Sequence, residues 1–181
     1  MAQPDQLITA EELANRLDEF GRCELIRGEV VPVHASFGEH GEIAMNIAGP
    51  LDYHVRQHRL GRVYAAETGF TIEREPDTVR APDIAFIRRE RIPPPPRRFM
   101  NIPPDLIAEV ISSHDRYSEV YQKVQQWVDF GARLVWVADP ANKTVTAYHP
   151  DGSARVHHQG ETLEPGDVVP GFTLSIDEVF A

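Results

Sequence analysis

Three side chains in the middle of this chain could together hydrolyse a phosphodiester: Asp83, Glu109 and Lys123. Glu109 interrupts the run Asp-Leu-Ile-Ala-Glu-Val-Ile at 105–111, which otherwise reads as a strand buried on both faces of a covered sheet. A carboxylate in that setting is costly unless it is paired, protonated or bound to a metal. Asp83 stands at the front of a second apolar run, Pro-Asp-Ile-Ala-Phe-Ile at 82–87, and Lys123 falls in the helix expected after Glu109. Two carboxylates on neighbouring strands with a lysine nearby are the groups that metal-assisted phosphodiester hydrolysis needs.

Mg²⁺ takes oxygen ligands and keeps several waters, so one or two carboxylates can hold it. Asp83 and Glu109 supply two, and the carbonyl of Val110, where the strand ends, is a natural third. Such an ion polarises the phosphate and acidifies a bound water, and a lysine beside that water orients it and offsets developing charge. Lys123 has the reach. With a helix starting near Asp115 it lies about 12 Å along the axis at ~1.5 Å per residue. Glu109 sits roughly 7 Å inside the strand end. Val120, Val124, Trp127 and Val128 form the buried stripe of that helix, with Lys123 at its border. Each of the three residues also has an ordinary structural explanation: a turn cap, a salt bridge and a solvated lysine. Their joint placement by one fold is what favours chemistry.

The elements around them follow from local signals. Thr9-Ala-Glu-Glu12 has capping-box spacing and opens a helix running to about Phe20. Residues 23–33 read as a hairpin turning at Arg27-Gly28, with Glu24 in its first strand. A helical pattern covers 38–58, with Ala44, Ile47, Leu51, Val55 and His40 on one face. Pro50 interrupts it, so either the helix kinks there or two helices meet. Residues 62–74 hold one or two strands with a bend at Gly69, and 75–77 are turn chemistry. Residues 89–104 form a loop stiffened by four prolines at 93–96. Ser112-Ser113 cap the next helix, which ends near Phe130 with Gly131 beyond it. Strands follow at 134–138 and 144–148, then short strands and turns, then a helical turn at 175–180. This order predicts an α/β fold of mixed α+β character, a central sheet flanked by helices, in one domain spanning 1–181.

Composition bounds the alternatives. With 41% hydrophobic and 25% charged residues, the 181-residue chain falls in the soluble globular range. No stretch is long and apolar enough for a membrane span, and the first residues carry no signal pattern. The single cysteine, Cys23, excludes a disulfide framework and reads as a small buried hydrophobe, which suits the cytoplasm. A net charge of −10 works against holding nucleic acid by charge alone. The cluster Arg88, Arg89, Arg91, Arg97 and Arg98 leaves room for a basic rim around an acidic site.

Other reactive residues carry less. His54 and His58 are four apart, but Val55 stands where a zincin needs glutamate, so they read as solvated or half-buried. His157 and His158 point to opposite sides of a strand. His40 divides evenly between site and core. No nucleophile elbow or phosphate-binding loop is present. Trp127 and Trp136 are expected in the core; Tyr117 and Tyr121, near Lys123, could stack on a base, but packing on the helix face is the expectation.

Several segments carry a family resemblance. Cys-Glu-Leu-Ile-Arg-Gly-Glu-Val-Val at 23–31, His-Gly-Glu-Ile at 40–43, Ala-Pro-Asp-Ile-Ala-Phe at 81–86 and Pro-Asp-Leu-Ile-Ala-Glu-Val-Ile-Ser at 104–112 resemble motifs of the Uma-type family of restriction-endonuclease-like proteins. So do Lys123 through Gly131 to Val-Trp-Val-Ala-Asp-Pro at 135–140, and Pro-Gly-Phe at 170–172. Cys23 stands where that pattern has an aromatic residue. The resemblance spans nearly the whole chain and implies the PD-(D/E)xK nuclease superfamily: a restriction-endonuclease-like core, a Mg²⁺ or Mn²⁺ site and hydrolysis of DNA. Asp83 then corresponds to the first acid and Glu109 to the second. Ile111 occupies the usual lysine position, and Lys123 resembles a lysine displaced to the following helix. Glu24 resembles the accessory acid and His40 the histidine near the site. The superfamily's habit of pairing to cut both strands sets the expectation of a homodimer. The competing reading is a catalytically inactive interaction protein that retains the nuclease fold, and a weaker one is a histidine-based metal binder.

Overall fold

The computed structural model describes residues 7–94, 98–112 and 115–181. Thr9 caps α1 (Ala10–Asn15) through the expected box: its hydroxyl accepts from the Glu12 N–H, and the Glu12 carboxylate accepts from the Thr9 N–H. The helix expected to reach Phe20 breaks at Arg16, whose backbone leaves the helical region, and resumes as α2 (Leu17–Phe20). Strands β1 (Cys23–Ile26) and β2 (Glu29–Pro32) form the hairpin. Arg27 and Gly28 both take positive φ, 50° and 84°, as the tight turn matched to strand twist requires.

Helix α3 (Gly38–Gln57) runs through Pro50 as one element, so two helices do not meet there. Pro50 lies on the exposed side, where water can satisfy a carbonyl that proline leaves unpaired, while Ile43, Ile47, Leu51 and Val55 form the buried stripe. Next come β3 (Gly61–Ala65), β4 (Phe70–Glu73), β5 (Thr78–Arg80) and β6 (Ile84–Arg88). Strand β7 (Leu106–Val110) leads to α4 (Tyr117–Phe130), then β8 (Leu134–Asp139), β9 (Thr144–Tyr148) and β10 (Ala154–His157). The short strands β11 (Thr162–Leu163) and β12 (Leu174–Ser175) pair with each other, and α5 (Ile176–Val179) closes the fold under a Ser175 cap.

The central sheet has the order β10-β9-β8-β7-β6-β3. Only β7–β8 is parallel, joined across by α4; the other pairs are antiparallel, so the expected mixed sheet is present. Alternation along the strands sends side chains to two cores. Leu106, Ala108 and Val110 join Ile84, Phe86 and the α3 stripe on one face. Ile107, Ala85, Val135 and Val137 meet Val124 and Trp127 of α4 on the other. Trp136 and Trp127, both expected in the core, lie in these two layers respectively.

A second antiparallel sheet, β2-β1-β5-β4, was not expected from the sequence. It arises because the two strands within 62–74 join different sheets: β3 pairs with β6, while β4 pairs with β5. The bend expected at Gly69 is a close approach. A Cβ there would fall 2.4 Å from the Phe99 ring. Helix α4 starts at Tyr117, two residues later than expected, and Glu119 accepts from the Arg116 N–H. Ser113, expected to help cap it, and Pro95, Pro96 and Arg97 of the proline loop lie outside the described residues. Gly131 ends α4 at φ 114°, its N–H donating to the Trp127 and Val128 carbonyls.

Candidate active site

Antiparallel pairing sets Ile84 of β6 opposite Ala108 of β7. Asp83, one residue before β6, therefore comes level with Glu109, one residue after Ala108. Glu109 shares the side of β7 that carries Ile107 and so turns toward α4. The Asp83 Oδ2 atom accepts from the Val110 N–H at 2.8 Å and lies 3.3 Å from His40 Nε2, one turn into α3. His40 also meets the backbone of Val110. Two strand ends and one helix thus converge on a single carboxylate.

Glu109 is held from α4. Its Oε1 accepts from the indole Nε1–H of Trp127 at 2.9 Å, and its Oε2 lies 3.5 Å from Lys123 Nζ. Lys123 and Trp127 are four residues apart, so both present to one face of the helix. Lys123 lies about 9 Å from the start of α4 at ~1.5 Å per residue, since the helix begins at Tyr117.

Glu24 braces the other side. Its Oε2 accepts from Arg80 Nη1 at 2.6 Å and its Oε1 from the Ala81 N–H at 3.1 Å. Arg80 also donates twice to Gln126 Oε1, at 3.1 and 2.9 Å. These bonds tie β1, the end of β5 and α4 together immediately before Pro82-Asp83.

The electrostatics follow from burial and like charge. Burial is the main force raising Glu109, whose carboxyl is pushed up to about 7; Lys123 opposes the shift and Asp83 adds to it. Lys123 is raised in turn by Glu109. The bond to Asp83 is the main force raising His40. The carboxylate at the centre is under-compensated: one indole, one partly exposed ammonium and a repelling neighbour. Relief of that repulsion is what a divalent cation would provide, and two carboxylates with a strand-end carbonyl are the hard oxygen donors Mg²⁺ prefers. Among the described residues no group of three or more His, Cys, Asp or Glu side chains could hold a metal, so backbone and water would complete any shell.

All six residues expected at the site, Asp83, Glu109, Val110, Lys123, Glu24 and His40, line one cleft of about 1160 Å³. Three other residues join the site that the sequence does not place there. Trp127 was assigned only to the core, although its place four residues after Lys123 is a usable signal. Arg80 stands three residues before Asp83, and Gln126 had no signal at all. Among the described residues of the arginine cluster, Arg88, Arg89, Arg91 and Arg98 do not line this cleft. Arg88 and Arg91 pair with Asp105 at the opposite end of β7, Arg98 pairs with Glu11, and Arg97 lies outside the described residues. Tyr117 and Tyr121 are 76% and 47% exposed, and both lie near Tyr148, to which Tyr117 is hydrogen-bonded. His54 is half-buried against the Pro170 carbonyl and His58 is exposed, as expected. His157 is buried and His158 exposed.

The fold belongs to a nuclease-like α/β class. A crystal structure from Anabaena variabilis ATCC 29413, described as a "putative nuclease belonging to DUF820", matches with a TM-score of 0.79. The match covers 92% of this chain and 96% of that one at 21% identity, a likeness of fold. Residues 10–177 match the profile of the Uma2 family, described as "Putative restriction endonuclease", and the chain belongs to that family. No curated protein matches the chain. No helix among the described residues is long and apolar enough to cross a membrane.

Proposed function

We propose that this protein is an endonuclease that hydrolyses DNA phosphodiester bonds with Mg²⁺ or Mn²⁺, by a PD-(D/E)xK-type mechanism whose lysine comes from the helix after the second acid. The observation that carries the reading is Glu109, buried beside Asp83 and held between Trp127 and Lys123. Asp83, Glu109 and the Val110 carbonyl are the donors for the ion. When bound, it supplies Lewis acidity at the phosphate and an acidified water.

The chain's own groups do the rest. His40 and the Val110 N–H fix the orientation of Asp83. Trp127 engages one oxygen of Glu109 and leaves the other facing Lys123. The Lys123 ammonium orients the attacking water and offsets charge gathering on the phosphate oxygens. Glu24, with both oxygens engaged by Arg80 and Ala81, positions the segment that carries Asp83.

We further propose one restriction-endonuclease-like domain across 1–181, working as a homodimer in the cytoplasm. The lone cysteine suits a reducing compartment. Pairing would place two such sites on two strands, and light scattering at twice the 20.4 kDa chain mass checks it.

The test is cleavage of plasmid DNA with Mg²⁺ and with Mn²⁺ by wild type, Asp83→Asn, Glu109→Gln and the double variant. The expected outcome is loss of cleavage with circular dichroism unchanged. Retained cleavage by the purified double variant would overturn the reading. The net charge of −10 favours one rival, an inactive interaction protein on the same fold. It expects no cleavage by wild type of duplex, single-stranded or structured DNA with either ion.

A further inference from the structure

One guanidinium bridges the two halves of the cleft. Glu24 on β1 and Arg80 at the end of β5 belong to the second sheet, while Gln126 lies on α4, which packs against the central one. Arg80 uses its whole fork at this junction. Its Nη1 donates to Glu24 Oε2 at 2.6 Å, and its Nε and Nη2 donate to Gln126 Oε1 at 3.1 and 2.9 Å. The Arg80 and Glu24 side chains are only 12% and 9% exposed. With the Ala81 N–H on its other oxygen, Glu24 is engaged at both ends of its carboxylate.

This closure matters for Lys123. Lys123 stands three residues before Gln126, so the two share a border of α4. Its 3.5 Å separation from Glu109 is long for a charge-assisted hydrogen bond, so the ammonium is held by the surrounding field more than by fixed geometry. A lysine is a compact charge on a flexible stem and follows the less compensated carboxylate. Glu109 is the main charge drawing on Lys123; Glu24 adds to that pull across the cleft, and Arg80 works against it. Without the Arg80 charge, Glu24 would be a nearly buried carboxylate with no cation, a costly state that the Lys123 ammonium could relieve.

We infer that Arg80 is a positioning residue for the hydrolysis: by closing Glu24, it keeps that acid from competing with Glu109 for Lys123. The inference rests on the nuclease reading and extends it to a residue that acts only through its neighbours. It also gives a reason for arginine at this position. A lysine could pair with Glu24, but it lacks the planar fork that reaches Gln126 at the same time.

The test combines plasmid cleavage in Mn²⁺ with calorimetric Mn²⁺ titration. The proteins are wild type, Arg80→Gln, Glu24→Gln and the double variant carrying both changes. Arg80→Gln should cut about 10- to 100-fold more slowly, the usual effect of losing a group that orients a site residue. Its Mn²⁺ affinity should not fall, because Asp83 and Glu109 stay in place. The double variant removes the competing charge, and an amide at position 24 can still accept from the Ala81 N–H. It should therefore cut faster than Arg80→Gln alone. A mere structural brace predicts the reverse, since the second change would dismantle more of it. Should Arg80→Gln not fold, Gln126→Glu serves in its place. The added carboxylate draws Arg80 away from Glu24 and should slow cleavage, and adding Glu24→Gln should restore it. Arg56→Ala, which breaks an exposed pair with Asp52 on α3, should change nothing. Undiminished cleavage by Arg80→Gln, a double variant no faster than Arg80→Gln, or a parallel loss of Mn²⁺ affinity would each overturn the inference and leave the nuclease reading standing. Wild type that cuts no DNA would overturn both.

Discussion

The two ends of β7 each bury an acid, and they treat it in opposite ways. At the start, Asp105 is 1% exposed and heavily compensated. Arg91 donates to its Oδ1 at 2.7 Å, the Arg88 N–H donates to its Oδ2 at 2.9 Å, and the Arg88 guanidinium lies 3.7 Å away. At the far end, Glu109 is 8% exposed with one indole and one lysine at 3.5 Å, and Asp83 repels it. One strand thus shows the difference between an acid that holds a fold together and an acid kept short of partners. The shortfall is stored where a cation could relieve it. Structural acids are closed by arginine; this candidate catalytic acid is left open toward a cleft.

Removing one partner of a buried ion pair strands the other, so Asp105→Asn should cost the most, about 3–5 kcal/mol in urea denaturation. Mn²⁺ affinity, governed by the opposite end, should not move. The contrasting change, Glu109→Gln, should show itself through pH. The folded-state carboxyl titrates near 7 against 4.5 for the free group, so between these values the folded chain holds the extra proton. Metal-free wild type should therefore lose stability as pH rises from 4.5 toward 7, by on the order of 3 kcal/mol. That slope should be missing from Glu109→Gln, as denaturant midpoints across pH would show. An equal slope in both proteins would mean that Glu109 is not strained.

Trp127→Phe keeps the ring and deletes the donor to Glu109. Loss of a group that orients a metal ligand should weaken Mn²⁺ binding by about 10- to 100-fold, with little change in fold. An unchanged affinity would reduce Trp127 to core packing. The smallest effect belongs to Arg91→Lys, expected to cost about 1 kcal/mol. It keeps the charge near Asp105 but gives up the fork that also donates to the Pro103 carbonyl.

Much of the candidate site was legible because it depends on periodicity. Strand alternation turns Glu109 toward α4, antiparallel pairing brings Asp83 level with it, and helical phase puts Lys123 on the facing border. These relations hold over short stretches and survive an error of two residues in where α4 begins. What the sequence concealed lies in longer-range choices. Arg80 appears as one residue of a short strand; only the pairing of β1 with β5, in a sheet that was not expected, brings it to Glu24. The arginines after Phe86 resemble a basic rim until the antiparallel register carries Arg88 to the end of β7 away from Asp83. Asp105 stands in the same apolar run as Glu109, yet nothing local reveals that two arginines will close on it. Trp127 was placed correctly in the core, and its polar handle was overlooked.

The most direct test of the central claim, that Glu109 and Asp83 form a site left open for a cation, is calorimetric titration of Mn²⁺ into wild type and into the Asp83→Asn, Glu109→Gln variant. Wild type should bind saturably and the folded variant not at all. Equal binding by the two proteins, or none by either, would contradict it and return both acids to a structural role.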